Sequence, residues 1–176
     1  METFSNEVLK RTGNCGQLRH EDCGQRVRMC GWVRSYRDHG GVLFVDLRDR
    51  EGVTQIVFDL PADPNNQQEV ARYELAQSLR NEWVISVAGV VRPRGGDREN
   101  PKLPTGRIEV LGDDLVVLNR SDPVPFEPDE FTEVSEDIRL KYRFIDIRRP
   151  SMTRALRLRY QICRIMRAML DEQGFV

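Results

Sequence analysis

Within Val27–Phe58, VRMCGWVRSYRDHGGVLFVDLRDREGVTQIVF, the alternation of apolar and polar residues constrains the fold most. In the run Val42–Asp49, Leu43, Val45 and Leu47 fall on one side, and Val42, Phe44, Asp46 and Arg48 on the other. A period of two is that of a strand, so the first set is a core face. Val53–Phe58 repeats the pattern, with Thr54, Ile56 and Phe58 opposed to Val53, Gln55 and Val57. If the core takes Ile56 and Phe58, Gln55 points the same way as Phe44. A preceding strand is expected over Arg26–Tyr36, with Val27, Met29 and Val33 on one face and Arg28, Cys30, Trp32 and Arg34 on the other. Gly31 is its candidate bulge. Asp38-His39-Gly40-Gly41 and Asp49-Arg50-Glu51-Gly52 are the connecting turns, with glycines able to take positive φ.

A phenylalanine among charges on a sheet face has two explanations. Either another part of the same domain covers Phe44, or the ring is left open for a ligand. An aromatic ring beside an amide, rimmed by Arg34, Arg37 and Arg48, suits single-stranded nucleic acid. Bases stack on the ring, the amide reads a base edge and the guanidiniums hold phosphate.

The rest of the chain extends the pattern. Asp59–Asn66 is a loop rich in Pro, Asp and Asn. A helix is expected over Gln67–Arg80, capped by Asn66 with Glu69 as the reciprocal partner, and with Val70, Tyr73, Ala76 and Leu79 on its apolar side. Trp83–Arg92 reads as a fourth strand, Pro93–Thr105 as a loop and Gly106–Leu118 as a fifth strand with a break expected at Gly112. Three strands, a helix and two strands are the element order of a five-stranded oligonucleotide-binding (OB-fold) barrel; closure is inferred by analogy. Residues 120–150 read as a linker or hinge, with Pro123, Pro125 and Pro128 among many acids, followed by the basic, aromatic DIRLKYRFIDIRRP. A final helix is expected over Ser151–Gln173, capped by Ser151 or Thr153 and ended by Gly174. Its apolar face, Leu158, Ile162, Ile165 and Met169, either has lost its partner by truncation, the favoured expectation, or docks on the barrel.

Composition narrows the classes. In 176 residues, 39% are hydrophobic and 31% charged, and the formal net charge is −1. A chain so balanced does not bind nucleic acid by bulk charge, although Asp122–Asp137 is acidic and Arg139–Arg167 basic. No apolar run is long enough to span a bilayer, and METFSNEVLKR lacks the apolar core of a signal peptide. Cys15, Cys23, Cys30 and Cys163 form no CxxC pair, and His20 and His39 complete no ligand cluster, so reduced cysteines in a cytoplasmic protein are expected and a metal site is not. P-loop, GxGxxG and nucleophile-elbow motifs are absent.

The chain closely resembles the bacterial aspartyl-tRNA synthetases, class II aminoacyl-tRNA synthetases. The resemblance is carried by CGQLR at Cys15–Arg19, CGWV at Cys30–Val33, RDHGGVLFVDLRDREG at Arg37–Gly52, LRNEW at Leu79–Trp83, NPKLPTGRIEV at Asn100–Val110 and RLKYRFIDIRRP at Arg139–Pro150. It implies a mainly β anticodon-binding OB-fold over residues 1–119, a hinge over 120–150, and at 151–176 the first helix of a catalytic domain that continues downstream. It further implies that Phe44 stacks on the middle anticodon base, Gln55 reads its edge, and Arg37 and Glu109 help read the flanking bases. Arg34, Arg92 and Arg94 are implied as contacts to the tRNA backbone.

The family esterifies tRNA with aspartate using ATP and magnesium, as a homodimer. Its second and third class II motifs and its acidic metal and aspartate ligands are not found here, so no residue of this chain is expected to be catalytic. The partner implied is tRNA(Asp). A His after Arg-Asp, as in Arg37-Asp38-His39, is typical of members that also charge tRNA(Asn), and the loop Arg94–Asn100 with Asp97 is the other region implicated. The alternatives from other classes are a stand-alone single-strand-binding module and a protein-interaction barrel. The unfinished final helix and hinge motif weigh against the first, the arginine-rimmed face against the second.

Overall fold

The computed structural model describes residues 5–175, which divide between Pro123 and Val124 into two units. The first begins with a single helical turn, α1 (Asn6–Leu9), and continues with β1 (Arg26–Asp38), β2 (Val42–Arg48), β3 (Val53–Asp59), α2 (Gln67–Ser78), β4 (Val84–Pro93) and β5 (Ile108–Asn119). The five strands close into a barrel in the order β1-β2-β3-β5-β4, with β4 returning to β1. All pairings are antiparallel except the short one between β3 and β5, where Ile56 and Val57 meet Val110 and Leu111. Because α2 and β4 intervene, β5 runs in the same direction as β3.

The interior is the set that alternation assigns to the core. Leu43, Val45, Leu47, Ile56 and Phe58 are buried with Met29, Val33, Ile85, Val87, Ile108 and Val110, and α2 adds Tyr73 and Ala76 to the same cluster. Burying each of the larger side chains stabilises the barrel by about 1.5–3 kcal/mol. Asn66 caps α2 as expected: its Oδ1 accepts from the N–H groups of Gln68 and Glu69. The reciprocal arm differs. The Glu69 carboxylate accepts from the Asn66 side-chain amide and the Ala62 N–H, while the Asn66 backbone N–H donates to the Asp63 carbonyl.

Two expectations about glycines are corrected. Gly31 is not a bulge; it pairs in regular register with Ile85. It is glycine because β2 passes too close for a side chain: a Cβ there would lie 2.4 Å from the Arg48 carbonyl oxygen. The surplus residue of β1 is Arg34, between the pairs Val33–Leu47 and Ser35–Asp46. β5 does not break at Gly112. It continues to Asn119 with two extra residues, Asp113 between the pairs Gly89–Gly112 and Ala88–Asp114 and Leu118 between Ile85–Val117 and Val84–Asn119, and Gly112 leaves room for the Phe58 ring.

The second unit contains α3 (Glu136–Lys141), α4 (Arg143–Asp146) and α5 (Pro150–Glu172). The two short helices fall where the sequence shows no periodicity, because an ion cluster rather than an apolar stripe holds them. Asp146 is fully buried and accepts hydrogen bonds from Arg139 and Arg143, with Arg149 at 3.9 Å. Arg149 also donates to the carbonyls of Asp129 and Thr132 at 2.8 and 3.0 Å. α5 starts differently from the expectation. Pro150 occupies its first turn, where a missing N–H is harmless, and neither Ser151 nor Thr153 caps it; the Thr153 hydroxyl donates to the Ile147 carbonyl instead. Its end matches. Gly174 takes φ +83°, and the N–H groups of Gly174 and Phe175 close back on Asp171 and Leu170. Among the described residues, no helix is long and apolar enough to cross a membrane.

The hydrogen bond from Arg139, with the charges of Arg139, Arg143 and Arg149, holds the Asp146 carboxyl below its ordinary range against the opposing effect of burial. Its folded value therefore lies below its unfolded one. The stabilisation is fully present above the unfolded value of about 3.9 and is lost as pH falls through the lower folded value. Carboxyl-carbon NMR should place the Asp146 titration below the ordinary aspartate value of about 3.9. Asp146→Asn should weaken amide-exchange protection in α3 and α4 at neutral pH and abolish the acid-dependent step.

Candidate nucleic-acid interface

The register places the functional side chains. Residues directly opposite in an antiparallel pair share a face, so Arg37 opposite Phe44, and Ser35 and Gln55 opposite Asp46, all project outward from the barrel. The bulge at Arg34 makes this possible. Before it, even-numbered residues of β1 face outward; after it, Ser35 and Arg37 do. Val57, opposite Phe44, lies beneath the same surface and is buried.

Phe44 is half-buried, neither in the barrel interior nor fully covered. The exposed His39, in the turn between β1 and β2, packs edge-on against it, with ring centroids 5.6 Å apart and planes at 74°. Gln55 is only 8% exposed, and its amide is fixed by donating to Glu109 Oε2 at 3.0 Å. The other carboxylate oxygen of Glu109 accepts from Arg92 Nε at 2.8 Å, and Arg92 reaches Asp59 at 3.3 Å. Both oxygens of Glu109 are thus occupied within the protein. Glu109 orients Gln55 and Arg92 rather than offering two open acceptors.

The arginines divide into classes that the sequence did not distinguish. Arg34 is exposed on the bulge, and Arg37 is exposed with one nitrogen 3.3 Å from Asp46. Arg48 shares the face but pairs with the buried Glu82 at 2.7 Å, so it anchors the barrel instead of rimming the ring. Arg94 lies under the surface, 4% exposed, with Nε donating to the Ile108 carbonyl at 2.8 Å. Its Nη2 is the one buried side-chain nitrogen or oxygen without a hydrogen-bond partner among the described residues. Burial pulls its pKa down, opposed by the charges of Glu109 and Asp46. Arg94 thus lies within electrostatic reach of Glu109, Asp46 and Arg37. Asp97 is exposed in the short turn Gly96–Arg98 of the loop joining β4 to β5.

The structure therefore joins Phe44 to His39, Arg37 to Asp46, and Gln55 to Glu109 and Arg92. Sequence reasoning missed the roles of Ser35, Asp46 and Asp59. Only Asp46 carried a signal, as a charge on the Phe44 side of β2.

Residues 27–118 match the family model described as an OB-fold nucleic acid binding domain, and residues 135–176 match that of class II tRNA synthetases (D, K and N). The chain is 49% identical over 168 residues to an aspartate–tRNA(Asp/Asn) ligase of Desulfatibacillum aliphaticivorans, covering 96% of this chain and 27% of the relative. It is 46% identical to an enzyme of the same name from Aquifex aeolicus over the same shares. The chain spans about a quarter of the length of these curated relatives. Its fold is similar to asparaginyl-tRNA synthetase from Pyrococcus horikoshii complexed with asparaginyl-adenylate, at TM-score 0.73 and 24% identity over 92% of this chain and 34% of that one. It is also similar to a putative aspartyl-tRNA synthetase from Leishmania major Friedlin, at TM-score 0.75 and 21% identity over 89% and 32%.

Because Arg94 Nε is the donor to the buried Ile108 carbonyl, Arg94→Met should destabilise the barrel by about 1–3 kcal/mol, the usual cost of leaving one buried polar group unpaired. The same variant should lose about tenfold in RNA affinity, as expected for one hydrogen bond to a charged group. Thermal melts and fluorescence titrations, run side by side, check both.

Proposed function

The chain belongs to the OB-fold nucleic acid binding domain family, and on that premise we propose that it is the anticodon-recognising part of an aspartate–tRNA ligase. The observation that carries this reading is the half-open Phe44 ring, set between the raised Arg37 and the fixed amide of Gln55 on one outward face. Phe44 stacks on the middle anticodon base and Gln55 reads its edge. Arg37 helps read a flanking base, and Glu109 contributes by holding Gln55 and Arg92 in place. Arg34 and Arg92 take backbone phosphates. Arg94 donates upward from beneath the face, to an RNA acceptor that approaches closely enough to meet a buried group.

The reaction proposed is the ATP-dependent attachment of aspartate to tRNA(Asp). It is assigned to the complete enzyme, a homodimer acting in the cytoplasm. Residues 1–119 are its anticodon-binding part, 120–150 its hinge, and 151–176 belong to the catalytic part. ATP and magnesium supply the activated aspartyl group there. No step through either is assigned to this chain, which spans about a quarter of its relatives' length. What the chain contributes is binding energy and selection of the tRNA. The alternative of a stand-alone single-strand-binding module is disfavoured by the synthetase-family match over residues 135–176.

We further propose that tRNA(Asn), whose anticodon differs in its last base, is a second substrate. His39 stands at the edge of the stacking platform, and an imidazole both donates and accepts, so it tolerates either base. Asp97, in the loop of residues 94–100, is the second candidate for this discrimination.

Phe44→Ala should weaken binding of a stem-loop carrying the aspartate anticodon by about 1–3 kcal/mol, the usual worth of one stacked base. Unchanged affinity in a titration would remove Phe44 from the site. The complete enzyme should aspartylate purified tRNA(Asn) as well as tRNA(Asp); charging of tRNA(Asp) alone would end the second proposal.

A further inference from the structure

We infer that Asp46 is a positioning residue that presents the Arg37 guanidinium to RNA. The inference rests on reading the Phe44 face as an anticodon site. Asp46 projects outward from β2 two residues beyond Phe44, opposite Ser35 on β1 and Gln55 on β3. One carboxylate oxygen accepts from the Ser35 hydroxyl at 2.7 Å, the other from Arg37 Nη2 at 3.3 Å. The Asp46 side chain is 17% exposed and that of Arg37 47%. The carboxylate is the sunken end of the pair and the guanidinium the raised end. Ser35 fixes the carboxylate, and the carboxylate in turn limits the rotamers of an otherwise mobile arginine.

A carboxylate on a surface that takes a polyanion otherwise counts against binding. In water, a phosphate about 7 Å away would be repelled enough to weaken affinity roughly two- to threefold. Asp46 is compatible with the site if holding Arg37 ready for RNA outweighs that repulsion. Immobilising one long side chain during association weakens binding by roughly three- to tenfold, and a residue that does so beforehand removes this cost. The two effects have opposite signs and act on different RNAs. Repulsion acts on any polyanion; positioning matters only where Arg37 makes a defined contact.

The experiment compares two RNA stem-loops with one stem, one carrying the aspartate anticodon and the other an all-adenine loop, against the whole chain. In Asp46→Ala, the adenine loop should bind about two- to threefold more tightly and the anticodon loop about threefold less tightly, lowering the selectivity ratio nearly tenfold. In an Arg37→Ala background, the same substitution should tighten both RNAs alike. If Asp46→Ala proves unfolded in thermal melts, Asp46→Asn, which keeps a partner for Ser35, should give the same signs with smaller size. Equal tightening of both RNAs in the Arg37 background of the natural chain would overturn the inference, and so would an equal fall in selectivity whether or not Arg37 is present. Phe44→Ala, measured in parallel, separates the two levels. An effect of Phe44 without one of Asp46 sinks this inference alone, whereas no effect of Phe44 sinks the anticodon reading beneath it.

Discussion

Between Val33 and Ser35 the first strand carries one residue more than its partner, and the outward face depends on that surplus. A strand that alternated without interruption from Val27 would turn Ser35 and Arg37 inward with Val33. A charge inside a small barrel would then have no partner and no water. The bulge reverses the alternation where β1 leaves the core, and its bend lets the long strand follow the closing barrel. Arg37 thereby arrives beside Phe44, and Ser35 beside Asp46.

The face so built is close to balanced in charge. Asp46 and Glu109 sit low beside Arg37 and Arg92, and each carboxylate spends its oxygens on protein donors. Such a surface does not attract RNA through net charge, in keeping with a chain whose formal charge is −1. It supplies oriented donors and one ring, which favour the single-stranded bases of a loop over phosphate in general. Preorganisation of this kind shifts the balance from affinity toward selectivity, because only a ligand that meets the fixed donors gains from them.

The second unit uses ionic contact for a different end. Three arginines converge on one fully buried aspartate, and Arg149 also takes two backbone carbonyls that no regular element would satisfy. The cluster holds a segment too short and too polar to stabilise itself by apolar burial. The exposed apolar side chains of α5, among them Leu158, Ile162 and Ile165, are carried on a helix that its proline start and glycine stop define well.

Local pattern was enough to identify the strands, the Asn66 cap, the Gly174 stop and the outward placing of Phe44 and Gln55. These follow from periodicities of two and 3.6 and from the chemistry of single residues, which a sequence displays directly. The position of the bulge, the reason for Gly31, the helices held by Asp146, and the division of the arginines into raised, paired and buried were decided by tertiary structure. The bulge, Gly31 and the arginines depend on residues apart in the chain: Leu47 and Asp46 opposite β1, the Arg48 carbonyl against Gly31, Glu82 against Arg48, and Ile108 against Arg94, while the Asp146 cluster is local but shows no apolar period. An arginine reads the same in sequence whether it meets solvent, a carboxylate or a carbonyl, because its partner is fixed only when the barrel closes.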